Sequence, residues 1–269
     1  MAKPKTYVAI ILDQSGSMCD TKEEAVRGYN EQVQQMKLNS KEQDIFCSLI
    51  TFNGEVFEHL WCEPAEKLTE ASPEDYVTEG STAMRDAIGY TIDKLKKTTD
   101  EKEDVAYLVV VISDGVENAS RHFKTKSSLR ALKDTVDKTK WTFTYMGCDD
   151  ETLQQVAEEL DIPISNVAKW SNHTKELAGH GQHMNAVRMR GYYGNRAKGI
   201  TAQACVMSDA ADKLADFTEG VEETDFGWKP PLPLHTVKNI NVLDDGHKVV
   251  CNTGTTPFKN YSSPVAWTK

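Results

Sequence analysis

The sequence predicts a doubly wound α/β domain: a mostly parallel sheet with helices on both faces and one antiparallel edge strand, followed by a C-terminal extension. Three observations carry this. Thr6 to Leu12 and Val105 to Ile112 are almost unbroken apolar runs, the pattern of strands buried on both faces. Stretches with apolar residues at helical spacing stand between the strand-like runs. Asn53-Gly54 separates two strand-like runs, the strongest short hairpin signal. Strands that alternate with helices imply right-handed crossovers, and in such a sheet ligands gather at the carboxyl ends of the strands.

The elements follow in order. The first strand ends at Asp13. Thr21, with Glu24 three residues on, forms a capping-box pattern ahead of Val26, Tyr29, Val33 and Met36. Ile45 to Phe52 and Val56 to Trp61 flank the Asn53-Gly54 turn, so one of them is the antiparallel edge. A polar loop with Pro64 and Pro73 leads to Glu79-Gly80-Ser81-Thr82-Ala83-Met84, where Met84, Ile88, Ile92 and Leu95 mark the second helix. Lys96 to Asp104 reads as a solvated connection. The buried strand Val105 to Ile112 ends in Ser113-Asp114-Gly115. Leu129, Leu132 and Val136 predict a helix, Trp141 to Met146 a strand, and Asp150 caps a helix that turns Leu153, Val156, Ala157 and Leu160 inward. Asn166 to Trp170 predicts a short last strand, followed by a helix from near Ser171.

Residues 1–190 thus form the α/β domain and 191–269 the extension. Arg188 to Lys198 is basic and glycine-containing and reads as a linker or loop. Val206, Ala210, Leu214 and Phe217 suggest a helix, and Pro230, Pro231 and Pro233 break the chain. Val237 to Leu243 and Lys248 to Cys251, joined through Asp244-Asp245-Gly246, predict a hairpin, and the end around Tyr261 and Trp267 is irregular. The large aromatics Trp228, Trp267, Tyr192 and Tyr193 read first as packing residues, with interface anchors as the alternative. No internal repeat is present.

Charged residues make up 27% and apolar residues 39% of the 269-residue chain, as in ordinary globular proteins. A formal charge of -10 opposes nucleic acid and anionic membrane, so neither is an expected partner. No apolar run is long enough for a membrane span. Met1-Ala2-Lys3-Pro4-Lys5 is followed by no cleavage-like site. The six cysteines are scattered without a Cys-x-x-Cys pair, which reads as reduced thiols in a cytoplasmic protein. His180 and His183 read as solvated loop histidines in preference to zinc ligands.

Asp13, Ser15 and Ser17 are spaced two apart at a strand end and can turn three oxygen side chains towards one point. That suits a hard cation such as Mg²⁺. A strand-end turn that caps the next helix explains the tripeptide alone equally well. Thr82 precedes a helix, and Asp114 ends the natural neighbour of the first strand, so both can reach the same rim. Two carboxylates and three hydroxyls make an incomplete shell that leaves room for water or an outside carboxylate.

With these pieces in order the chain resembles the von Willebrand factor type A domain, a Rossmann-like fold. Its metal-ion-dependent adhesion site has Asp-x-Ser-x-Ser, then Thr, then Asp on later loops; here they stand as Asp13-Gln14-Ser15-Gly16-Ser17, Thr82 and Asp114. The resemblance covers roughly residues 5–190 and is to the intracellular, prokaryotic or phage-like type. It implies that Ser15, Ser17 and Thr82 contact Mg²⁺ (or Mn²⁺) directly, that Asp13 and Asp114 hold it largely through water, and that a partner protein's Asp or Glu completes the shell. Family members inside cells often carry two glycines before the Thr; Glu79-Gly80-Ser81 stands here, and Glu79 would place negative charge near the ion.

The resulting expectation is a metal-dependent protein-interaction module, not an enzyme. A Mg²⁺-dependent phosphatase or nuclease is the rival, yet no second carboxylate flanks Asp13, and there is no Gly-x-x-x-x-Gly-Lys phosphate loop or Gly-x-Ser-x-Gly elbow. The other alternative is an assembly protein that oligomerises through its C-terminal extension, against the simpler case in which the extension packs on its own domain.

Overall fold

The structure is a computed structural model and describes residues 3–99, 104–148, 150–169, 189–200, 240–242, 248–250, 256–258 and 263–267. The chain divides into two units, residues 1–211 with 256–269, and residues 212–255.

The first unit is built on six strands: β1 (Lys5–Asp13), β2 (Asp44–Phe52), β3 (Val56–Pro64), β4 (Val105–Ile112), β5 (Trp141–Gly147) and β6 (Val167–Lys169). Their order is β3-β2-β1-β4-β5-β6. Only β2 and β3 pair antiparallel, through the expected Asn53-Gly54 hairpin. The order reverses at β1 and β4, so their carboxyl ends open a crevice. Helices α1 (Lys22–Asn39), α2 (Met84–Thr98), α3 (Lys126–Lys133) and α4 (Asp150–Leu160) supply the crossovers.

The unbroken apolar strands are explained by two cores. Alternate residues of a strand face opposite ways. Val8, Ile10 and Leu12 of β1 pack with Val26, Tyr29, Val33 and Met36 of α1. Ala9 and Ile11 pack on the other face with Met84, Ile88, Ile92 and Leu95 of α2 and with Leu153, Val156 and Leu160 of α4. Burying each such aliphatic side chain stabilises the fold by about 1.5–3 kcal/mol. Among the described residues no helix is long and apolar enough to cross a membrane.

Several expectations need correction. Residues 189–197 are helical (α5) where a basic linker was expected, and Met189, Tyr192, Tyr193 and Arg196 are all buried. The Arg196 guanidinium donates to the carbonyls of Ile200 and Lys5 and to Asp104, which satisfies a charge that burial alone would forbid. The Thr21–Glu24 capping box does not form. A 3₁₀ turn (Gly16–Thr21) precedes α1, and the Thr21 hydroxyl points instead to Asp114. Helix α3 ends before Val136. The chain end is not wholly irregular, since Pro264 bridges to Phe57.

The second unit holds β7 (Ile240–Val242) and β8 (Lys248–Val250), paired antiparallel as the predicted hairpin requires. The expected helix from near Ser171, the helix around Val206 to Phe217, the proline breaks, the His180 and His183 pair, Trp170, Trp228, Tyr261 and the Asp244-Asp245-Gly246 turn lie outside the described residues.

Candidate metal centre

Three loops meet at the carboxyl ends of β1 and β4, and their backbones are laced together. The Gln14 N–H donates to Phe52 O, fixing the turn after β1 to the end of β2. Gly16 N–H donates to Gly80 O, and Glu79 N–H to Gln14 O, so the first loop holds the second. Gly80 sits at φ +78°, a left-handed conformation that costs a side-chain-bearing residue more than glycine. The second and third loops are joined at Thr82: its N–H donates to Asn118 Oδ1 (2.8 Å), while Asn118 and Ala119 N–H groups donate to Thr82 O.

The third loop, residues 113–125, has no regular structure, yet two carboxylates hold it. Helix α2 lacks a side-chain cap from its own N-cap residue, leaving first-turn amides without partners. Glu117 Oε2 accepts from Arg85 N–H (2.7 Å) and the Ser120 hydroxyl accepts from Asp86 N–H (3.0 Å), so the loop caps the helix. In return the buried Asp86 carboxylate accepts from the N–H groups of Arg121, His122 and Phe123. Helix and loop complete each other, which fixes Asp114 relative to Thr82.

Within this frame the five expected residues come together. Asp13 is fully buried, and its Oδ1 accepts from Ser15 N–H at 2.7 Å. The Ser15 and Ser17 hydroxyls lie 3.1 Å apart, and Ser17 Oγ donates to Asp114 Oδ1 at 2.7 Å. Thr82 is located by Gly115: a Cβ there would stand 3.4 Å from Ser17 Oγ, 3.8 Å from Thr82 Oγ1 and 3.9 Å from Asp13 Oδ2. One small volume, kept clear by a glycine of the third loop, is therefore walled by oxygens of the first and second loops, with Asp114 hydrogen-bonded to Ser17 beside it. Glu79 is exposed at the rim and its backbone, not its carboxylate, ties the loops.

The electrostatics of the site is that of two crowded carboxylates, Asp13 buried and Asp114 half-buried. Burial pushes the Asp13 carboxyl up to about 6, against lowering hydrogen bonds from Ser113 and Ser15, and Asp114 adds to the rise. Asp114 is raised too, mainly by burial. Two carboxylates beside hydroxyl oxygens, with no Lys or Arg among the side chains that bond them, suit a hard divalent cation. Among the described residues no group of three or more His, Cys, Asp or Glu could hold a metal, so the oxygen set here differs from a zinc-type cluster.

Some contributors were not expected. Ser113 Oγ donates to Asp13 Oδ2 at 2.5 Å, and Tyr145 OH donates to Ser113 O at 2.8 Å. Thr21 reaches Asp114 Oδ2 at 3.4 Å. Ser113 lies beside Asp114 in the strand-end motif, so its hydroxyl was the one available signal; Tyr145, Asp86 and Glu117 are remote in sequence and gave none.

The family model of the von Willebrand factor type A domain matches residues 8–179. Solved structures similar to the chain include proximal thread matrix protein 1 from the mussel byssus with a zinc-occupied MIDAS motif, at 14% identity and TM-score 0.43, covering 68% of this chain and 46% of that one. A von Willebrand factor type A protein from Catenulispora acidiphila is 15% identical with TM-score 0.45, covering 71% and 44%. The ArnB paralog VWA2 from Sulfolobus acidocaldarius is 13% identical with TM-score 0.41, covering 68% and 45%. The chain thus spans less than half the length of these three. No curated protein matches it.

Proposed function

This chain belongs to the von Willebrand factor type A family, and on that premise we propose that it is a protein-interaction module whose grip on its partner runs through a divalent cation. Domains of this family are generally interaction modules and not enzymes. The cation is Mg²⁺, with Mn²⁺ as the other candidate. The hydroxyls of Ser15, Ser17 and Thr82 and the carboxylates of Asp13 and Asp114 hold it, and an Asp or Glu of the partner protein completes the shell.

The observation that supports this reading is the convergence of Ser17, Thr82 and Asp13 oxygens around the volume that Gly115 leaves free, beside Asp114. A cation there would relieve the charge cost that raises both carboxyls. Phosphoryl transfer calls for a Lys, an Arg or a second metal at the transferring group. The groups that bond Asp13 and Asp114 are hydroxyls and backbone amides, which favours recognition over chemistry. The proposed site of action is the cytoplasm, on the scattered spacing of the six cysteines without a Cys-x-x-Cys pair.

Calorimetry tests the site. Mg²⁺ should bind the wild-type chain, and Asp13→Ala or the pair Ser15→Ala with Ser17→Ala should abolish that binding; equal heats from all three would sink the assignment. Capture of a partner from the native source should then fail with chelator or with either variant.

A further inference from the structure

β3 is the outer, antiparallel strand of the sheet. A free edge of this kind presents unpaired backbone groups that recruit another strand. Residues 263–267 lie along it. Pro264 bridges antiparallel to Phe57, and Val265 N–H donates to Val56 O at 2.8 Å. Trp267 stacks on His122 (3.9 Å between ring centres, 13° between planes) and stands edge-on to Tyr90. Phe258 is buried in the opposite core, 6.2 Å from Tyr29, 5.9 Å from Tyr76 and 5.7 Å from His59 between ring centres. The C-terminal segment therefore meets the edge with one aromatic anchor on each face of the sheet.

Residues 263–267 are held lightly. Ser263, Pro264 and Ala266 are exposed, and Val265 and Trp267 only half-buried, whereas β1 is almost wholly buried from Val8 to Asp13. Elements with few buried contacts open at a fraction of the global unfolding free energy.

We propose that the β3 edge with its two aromatic sockets is a docking site for an extended aromatic segment, and that residues 256–269 of a second copy exchange into it, giving a reciprocally swapped dimer. A second copy carries the one segment whose fit to this edge is on display. The exchange leaves the second unit (212–255) whole within the connection, and residues 201–211 ahead of it add a contour of up to roughly 36 Å at full extension. Pro264 limits it to pairs. In a strand, neighbouring residues direct their N–H groups to opposite sides, and the Val265 N–H points to β3. The donor that Pro264 lacks is thus the outward one, so no third strand is invited and the assembly closes as a two-fold dimer instead of growing. The proposal does not rest on the cation site, although Trp267 stacks on His122 of the third loop.

The test uses the full-length chain and a fluorescent synthetic peptide of residues 256–269. The pair Phe258→Ala with Trp267→Ala releases the chain's own segment, so this variant should bind the peptide at least tenfold more tightly than wild type. In wild type the tethered segment competes at an effective concentration on the order of 1 mM. Trp267→Ala alone touches only a half-buried side chain and, if the double variant fails to fold, gives the comparison on a smaller scale, with peptide affinity raised up to about fivefold. Sedimentation of the wild type at rising concentration should reveal a dimer that the double variant cannot form. Equal peptide affinity for wild type and variants, or none up to 1 mM, overturns the docking site. Peptide binding with a wild type that stays monomeric overturns the second copy as occupant.

Discussion

The middle of the sheet and its β3 edge solve opposite problems. At the carboxyl ends of β1 and β4, side chains that would prefer water are buried and held by a polar network in which nearly every partner is a backbone amide or a hydroxyl. At the edge, aromatic rings hold a short segment mainly by their faces and edges. A polar network in low dielectric is strong only when complete and loses heavily if one member goes. Aromatic contacts of 0.5–1.5 kcal/mol each add and subtract piecemeal. Rigidity therefore belongs to the centre and exchangeability to the edge.

Four measurements can break or sharpen that contrast. Asp86→Ala should have the largest effect, because three loop amides lose their acceptor together. We expect a loss of about 3–5 kcal/mol in urea denaturation, with cation affinity at least tenfold weaker through the displaced Asp114. A loss under about 1 kcal/mol would mean that the loop does not depend on the network.

Second, the metal-free chain should lose stability as pH rises from about 4 to about 6. The folded Asp13 carboxyl is raised above its unfolded value, so the native state binds the extra proton in that window and releases it at a cost above it. The effect is on the order of 3 kcal/mol, and Asp114 acts in the same direction. Saturating Mg²⁺ should flatten the curve. A metal-free profile that rises over the same window would contradict the direction assigned to Asp13.

Gly115→Ala comes third. Its methyl would enter the volume beside Ser17, Thr82 and Asp13 at ordinary contact distances, so stability should change by less than about 1 kcal/mol while calorimetric cation affinity falls about tenfold. Unchanged affinity would show that the ion does not use that volume. The smallest effect belongs to Trp267→Ala, about 1 kcal/mol or less, with cation affinity untouched. If it costs as much as Asp86→Ala, the edge segment is part of the cooperative core and the contrast fails.

Most of the sheet was legible because strands buried on both faces have few ways to be written. The runs through Ile10-Ile11-Leu12 and Val109-Val110-Val111 admit little else. Asn53-Gly54 fixed the antiparallel edge. The five oxygen residues were legible because their spacing and strand-end positions are local facts. What holds them was not. Asp86 and Glu117 are ordinary charged residues in the sequence, and only the tertiary arrangement makes them caps for each other's segments. Thr21 shows the converse: its capping pattern with Glu24 was sound locally, but a 3₁₀ turn runs straight into α1 and turns the Thr21 hydroxyl towards Asp114. In α5 the apolar positions Met189, Tyr192 and Tyr193 keep helical spacing, and Arg196 completes the stripe as a buried cation. Basic and glycine residues around them concealed that period.

The β1–β4 pair is fastened at both extremities. Arg196 and the Lys5 to Asp104 bond close the amino end, and the Ser113 to Asp13 and Ser17 to Asp114 bonds close the other. Between them the register runs without a shift from Lys5↔Val105 to Leu12↔Ile112. A load applied at Asp13 and Asp114 together would pull these two parallel strands lengthwise as one unit, and the rungs that resist it in shear are those to their outer neighbours, β1 to β2 and β4 to β5. In that direction the rungs must fail together, whereas a hairpin pulled apart at its tip opens one rung at a time.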